Sequence, residues 1–121
     1  VGMQVLSTIG NEFEKIQGLD LIAGEVKKIN NDKLLLPHIG WNEVKFLKET
    51  EITKNFKDNF DFYFVHSYYF DVSDRNSITG VTTYNHEIPC IIEKDNIFGV
   101  QFHPEKSQNA GLLLLKNFLS I

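Results

Sequence analysis

Apolar and polar residues alternate over much of this chain, and the alternation predicts strands more often than helices. Glu25 to Asn30 reads as a half-exposed strand, and Asn30-Asn31-Asp32-Lys33 as a turn. Leu34 to Val44 carries Pro37, His38, Gly40 and Trp41 and leads through a strand into Phe46. Asp61 to His66 is an aromatic strand, followed by Tyr68 to Val72 and a turn at Ser73-Asp74-Arg75-Asn76. Ile78 to Tyr84 and Ile88 to Glu93 read as a β-pair. Lys94-Asp95-Asn96 then turns the chain into a buried strand from Ile97 to Phe102. Helical spacing is rarer. Val1 to about Phe13 fits a helix with Met3, Leu6, Ile9 and Phe13 on its inner side, interrupted by Gly10-Asn11. Gly18 to Gly24 reads as a loop with apolar anchors, and the polar stretch Glu51 to Asn59 as a short helix. Ser107 is placed to cap a terminal helix through Phe118. There are no repeats, no low-complexity segment and no linker.

Composition narrows the class. At 121 residues the chain falls in the range of one domain. Its 42% hydrophobic and 23% charged content is ordinary for a soluble globular protein. The net charge of −4, with Lys and Arg scattered, gives no electrostatic footprint for nucleic acid or an anionic membrane. Leu112 to Leu115, the longest apolar run, is too short to span a bilayer, and nothing resembles a signal peptide. The single cysteine rules out an internal disulfide framework and fits a reducing cytosol, so a cytoplasmic location is expected. With four histidines and no zinc-ligand spacing, neither a metal nor a cofactor is expected. The 10 phenylalanines suit a dense core.

The stretch Ile97 to Ser107 (IFGVQFHPEKS) carries the strongest chemical signal. A strand delivers His103 and Glu105, two residues apart, to its C-terminal end, where an extended backbone points both side chains the same way. Pro104 fixes its own φ and biases His103 away from helix. A carboxylate beside an imidazole orients its tautomer and stabilises the imidazolium, which suits a base serving a nucleophile. The tripeptide alone would more often be a solvated turn, with Glu105 favoured at a helix start by the dipole. Cys90, the one cysteine, lies among branched apolar residues without elbow glycines and reads as an inert buried thiol. His38, His66 and His86 read as structural or loop residues.

That stretch, with Gly111 and the apolar helix after it, resembles the C-terminal signature of class I (triad-type) glutamine amidotransferases. Leu36-Pro37-His38-Ile39-Gly40-Trp41-Asn42-Glu43-Val44 and Phe62-Tyr63-Phe64-Val65-His66-Ser67-Tyr68-Tyr69 resemble the glutaminase subunit of imidazole glycerol phosphate synthase, from histidine biosynthesis. The likeness runs over essentially the whole chain. It implies the C-terminal part of a single flavodoxin-like α/β domain, with an antiparallel element added by the middle strands. It also implies hydrolysis of glutamine to glutamate and ammonia.

In that family the nucleophilic cysteine sits on a strand-to-helix elbow of the form G-x-C-x-G-M-Q, and this chain opens Val1-Gly2-Met3-Gln4. Val1 therefore matches the residue after the nucleophile, and the start reads as a truncation that leaves this fragment without glutaminase activity of its own. By the resemblance His103 is base and acid and Glu105 its orienter. The Val1 N–H is an oxyanion-hole donor, Gln4 binds the substrate's amino-acid end, and Ser67 and Tyr68 contact glutamine, partly through backbone groups. Gln4 taken alone would be an exposed helix glutamine, and Ser67 and Tyr68 ordinary sheet-edge residues. Trp41 and Lys106 match the surface that meets a barrel-shaped synthase (cyclase) subunit in a heterodimer, although Trp41 also suits a core anchor and Lys106 a solvated charge. Tyr84 to Pro89 departs from the histidine-pathway pattern and leaves room for an amidotransferase of amidino-sugar biosynthesis. A non-catalytic partner-binding domain is the reading from another class.

Overall fold

The computed structural model describes residues 2–121. It is a mixed α/β fold in which two sheets and one helix enclose the apolar residues. In chain order the strands are β1 (Ile9–Gly10), β2 (Ile16–Gln17), β3 (Gly24–Lys28), β4 (His38–Phe46), β5 (Phe60–His66), β6 (Tyr68–Val72), β7 (Ile78–Tyr84), β8 (His86–Lys94) and β9 (Ile97–Val100). The helix α1 runs Gln108–Leu119. One sheet has the order β2-β1-β3-β6 and the other β5-β4-β7-β8-β9. Among the described residues β1 and β3 form the parallel pair, and the other pairings are antiparallel.

The alternation in sequence explains the packing. On β5, Phe62, Phe64 and His66 face inward while Asp61, Tyr63 and Val65 face outward. Phe62 and Phe64 join Val44, Ile52, Cys90, Ile91, Phe102 and Leu114 in a core under α1. A second core joins Met3, Ile22, Phe70, Val72, Ile78, Val81 and Ile92, from both sheets.

Three local expectations are corrected. The helix expected over Val1 to Phe13 is a short 3-10 turn, Gln4–Leu6, followed by β1; Val1 itself lies outside the described residues. Ile9 and Gly10 find a ready partner in Glu25 and Val26, and Phe13 sits at φ 67°, which no helix accepts. Glu51 to Asn59 forms turns and not a helix. The buried Asn117 amide on α1 donates to the carbonyls of Ile52 and Lys54, which a helix would need for itself, and Asn55 has φ 71°. The strand expected to reach Phe102 ends at Val100; Gln101 and Phe102 bend, although Gln101 N–H still donates to the Cys90 carbonyl.

Candidate active site

His103 stands in extended backbone where β9 has given way to the bend, and its N–H donates to the Tyr63 carbonyl on β5. The following residues are not extended. Pro104–Lys106 is a 3-10 turn, closed by Lys106 N–H donating to the His103 carbonyl. His103 and Glu105 therefore meet by a turn and not by sharing the face of a strand. Pro104 supplies the fixed φ at the turn's first position. The outcome for the side chains is a hydrogen bond from His103 Nδ1 to Glu105 Oε1 of 2.8 Å.

Glu105's own backbone N–H, and after it the His103 ring, hold the carboxyl below its ordinary pKa. The carboxylate only accepts, so Nδ1 carries a proton, and in the neutral tautomer Nε2 is the nitrogen with the lone pair. This is the tautomer that a general base requires.

Ser107 occupies the N-cap position of α1, as expected, but its side chain does not cap the helix. Its hydroxyl donates to the His103 carbonyl at 2.7 Å and accepts from the Tyr63 N–H at 3.0 Å. Ser107 and Tyr63 thus clip the histidine to the middle of β5, a role that sequence reading alone did not assign.

A second group of polar residues lies across β5. Gln4 Nε2 donates to the Tyr68 carbonyl at 3.0 Å and to Gln101 Oε1 at 2.9 Å, which joins the first turn of the chain to β6 and to the approach of His103. Gln4 and Tyr68, each given a substrate role by the resemblance, are in contact here through the Tyr68 backbone. Ser67 is the corner between β5 and β6, and its carbonyl accepts from Ile29 N–H. His66 adds Nδ1 to the same Tyr68 carbonyl at 2.8 Å, and its Nε2 lies 2.8 Å from His38 Nδ1. His38 Nε2 in turn meets the Asn42 amide at 3.2 Å. Burial lowers the pKa of His66, against the opposing pull of the Tyr68 carbonyl, and takes His38 down to about 4 with help from the His66 charge. Both rings are neutral near pH 7.

Trp41 and Lys106 also converge. Trp41 is opposite Tyr63 across β4 and β5, with ring centroids 5.9 Å apart in an edge-to-face arrangement. Lys106 Nζ sits 6.0 Å from the Tyr63 centroid. Trp41 is 49% exposed, so it is no core anchor. Ile39, paired with Val65, extends the apolar patch on this outer face, while Glu43 and Asp61 edge it. Tyr63 is the hub: its ring joins Trp41 to Lys106, and its backbone carries His103 and Ser107.

Cys90 is 0% exposed, and burial pushes its thiol pKa well above the usual value, so it supplies no thiolate. Among the described residues no cluster of His, Cys, Asp or Glu is arranged to hold a metal ion. No helix among them is long and apolar enough to cross a membrane.

The chain resembles known proteins over its whole length. It is 46% identical to the imidazole glycerol phosphate synthase subunit HisH of Pelagibacter ubique (strain HTCC1062), over 100% of this chain and 59% of that protein. It is 45% identical to the subunit of the same name from Methanocaldococcus jannaschii, over 100% of this chain and 61% of that one. The chain thus spans about three fifths of the length of these curated relatives. Among solved structures, a candidate GMP synthase subunit from Thermoplasma acidophilum superposes with a TM-score of 0.64. The match covers 80% of this chain and 47% of that one at 17% identity, a likeness of fold. The family described as "Glutamine amidotransferase class-I" matches residues 1–121, and the chain belongs to that family.

Proposed function

We propose that the chain is the C-terminal part of one glutamine amidotransferase domain, whose protein hydrolyses glutamine and passes ammonia to a synthase making imidazole glycerol phosphate. The observation that carries this is the His103–Glu105 hydrogen bond, which leaves Nε2 free in a member of this family. In this reading a cysteine directly ahead of Val1 is the nucleophile and the Val1 N–H an oxyanion-hole donor. His103 Nε2 takes the thiol proton as sulfur attacks the glutamine carboxamide carbon. It then returns the proton to the departing ammonia, and water clears the glutamyl thioester with the same base. Glu105 steadies the imidazolium at each charging step. Gln4 and the backbone at Ser67 and Tyr68 hold the substrate's amino-acid end. The intact His–Glu pair weighs against a non-catalytic binding domain. The relatives' names favour the histidine pathway over amidino-sugar biosynthesis. A cytoplasmic heterodimer follows from that pathway.

Expression together with the encoded residues ahead of Val1 tests the reading. Glutamate should form from glutamine, stop when the residue ahead of Val1 is changed from cysteine to serine, and persist in Cys90→Ser. A residue other than cysteine at that upstream position, or turnover that dies with Cys90, would sink the assignment.

The synthase docks on the outer face of β4 and β5, where Trp41, Tyr63 and Lys106 gather beside His103. Ammonia must leave the site without meeting bulk water, so the partner has to seal this rim. An exposed indole packed edge-on to a tyrosine is suited to excluding water, and Lys106 can pair with a partner carboxylate. Trp41→Ala should weaken association by about 2 kcal/mol, about thirtyfold in Kd. Titration of the synthase, with glutamine consumption followed against product, reads both affinity and coupling. Unchanged values for Trp41→Ala and Lys106→Ala would move the interface elsewhere.

A further inference from the structure

His38 and His66 are 3% and 8% exposed, an expensive place for two imidazoles. His38 lies stacked between Phe64 and Tyr84, with ring centroids 4.8 and 4.1 Å away, where a phenyl ring would pack without polar demands. Every ring nitrogen is nevertheless used. The Tyr68 carbonyl can only accept, so His66 Nδ1 carries the proton. His66 Nε2 then accepts, so His38 Nδ1 carries the other proton, and His38 Nε2 accepts from Asn42. Asn42 is itself tied to the Thr83 carbonyl on β7 at 2.9 Å, which sets the direction of its amide. The series has one direction and ends on one atom.

That atom is the Tyr68 carbonyl oxygen, and the sheet explains why it is open to side chains. Ile29 N–H donates to the Ser67 carbonyl, so in the antiparallel alternation Tyr68, opposite Lys28, turns its N–H and C=O away from β3. Among the described residues β6 is an edge strand, and none of their other strands occupies that side. His66 and Gln4 both bond to the Tyr68 carbonyl there, and the Tyr68 N–H faces the same open edge.

We propose that His38 and His66 are positioning residues for the substrate: a pair with fixed tautomers that holds the Tyr68 backbone and Gln4 in register for the α-carboxylate and α-ammonium of glutamine. The inference rests on the glutaminase reading above. Neither histidine touches the scissile carboxamide in this scheme, and neither exchanges a proton in the reaction. They set where the substrate's far end sits, an effect that appears in binding and not in the chemical step.

The test is steady-state glutaminase kinetics on the whole protein with its synthase partner, for three variants at one position. His66→Phe keeps an aromatic ring but no donor, and His66→Gln places its amide where Nε2 stood. Both should raise KM for glutamine about tenfold with kcat held within about threefold. His66→Asn places its amide nitrogen near the old Nδ1 and should recover most of the lost affinity. A KM indifferent to His66→Phe, a fall in kcat at constant KM, or an Asn variant no better than Phe would overturn the proposal. If the variants do not fold, imidazole 15N shifts of the wild-type protein decide: both rings should be neutral and protonated at Nδ1, and protonation of His66 at Nε2 would refute the scheme. Absence of all turnover in the wild-type protein would instead mark failure of the glutaminase reading.

Discussion

In the whole protein, His103→Ala should depress glutaminase turnover by about 10²–10⁴-fold while the synthase supplied with ammonium salt keeps its rate. Removing the ring deletes both proton transfers, thiol deprotonation and protonation of the departing ammonia. It should leave the clip intact, because the contacts to Tyr63 and Ser107 use the backbone N–H and carbonyl of residue 103. The loss should therefore lie in chemistry and not in folding. Glu105→Gln should fall less far, because Nδ1 still has an oxygen to donate to but the imidazolium loses its counter-charge. Parallel assays with glutamine and with ammonium separate the outcomes. If both rates fall together in His103→Ala, the histidine is structural and the mechanism is wrong.

β4 and β5 were legible in sequence because each has one buried face, whereas β7 and β8, buried on both faces, show as short runs of branched and apolar residues bounded by turns. β6 and β7 have the expected bounds, and β4, β5 and β8 differ only by a few residues at their ends. The segments that misled are those in which tertiary partners outbid local preference. The stretch after Gln4 carries helical spacing, yet β3 offers Ile9 and Gly10 a parallel pairing that no local pattern announces. Glu51 to Asn59 is held in turns by an amide sixty-odd residues away on α1.

The dyad was legible as residue types but not as geometry, since a 3-10 turn rather than a strand brings Glu105 to His103. The hold that Tyr63 and Ser107 have on His103 went unnoticed, although Ser107 was expected at the helix cap, because it runs partly through backbone groups, which the sequence does not display. His38 and His66 did leave a trace. The alternation on β5 puts His66 on the same face as Phe62 and Phe64, and His38 shares the inner face of β4 with Val44. A histidine in phase with a buried aromatic stripe needs a partner, and a second one on the neighbouring strand is the obvious candidate.

Gly111→Ala should lower both stability and turnover, although the substitution favours helix. On propensity alone alanine inside α1 would stabilise by about 1 kcal/mol. The space forbids that gain. A Cβ at residue 111 would lie 1.8 Å from the Pro104 carbonyl oxygen and 2.7 Å from its carbon. Both are backbone atoms of the turn that carries Glu105, and the Ser107 N–H is already bonded to that same carbonyl. No side-chain rotation relieves such a contact, so either α1 lifts or the turn moves. Overpacking of this kind costs roughly 1–3 kcal/mol, which outweighs the helical gain.

Lifting α1 would strip Leu114 from the core it shares with Phe62, Phe64 and Phe102, so the turn is the softer side and moves first. His103 and Glu105 then shift by about an ångström relative to the substrate, enough for a loss of about 10²-fold in turnover. Urea unfolding and glutaminase assays on Gly111→Ala, with Ala110→Gly as a control for helix propensity, read the two effects separately. A variant that gained stability and kept full turnover would mean that the turn does not rest on α1, and the close approach of Gly111 would lose its place in the architecture of the site.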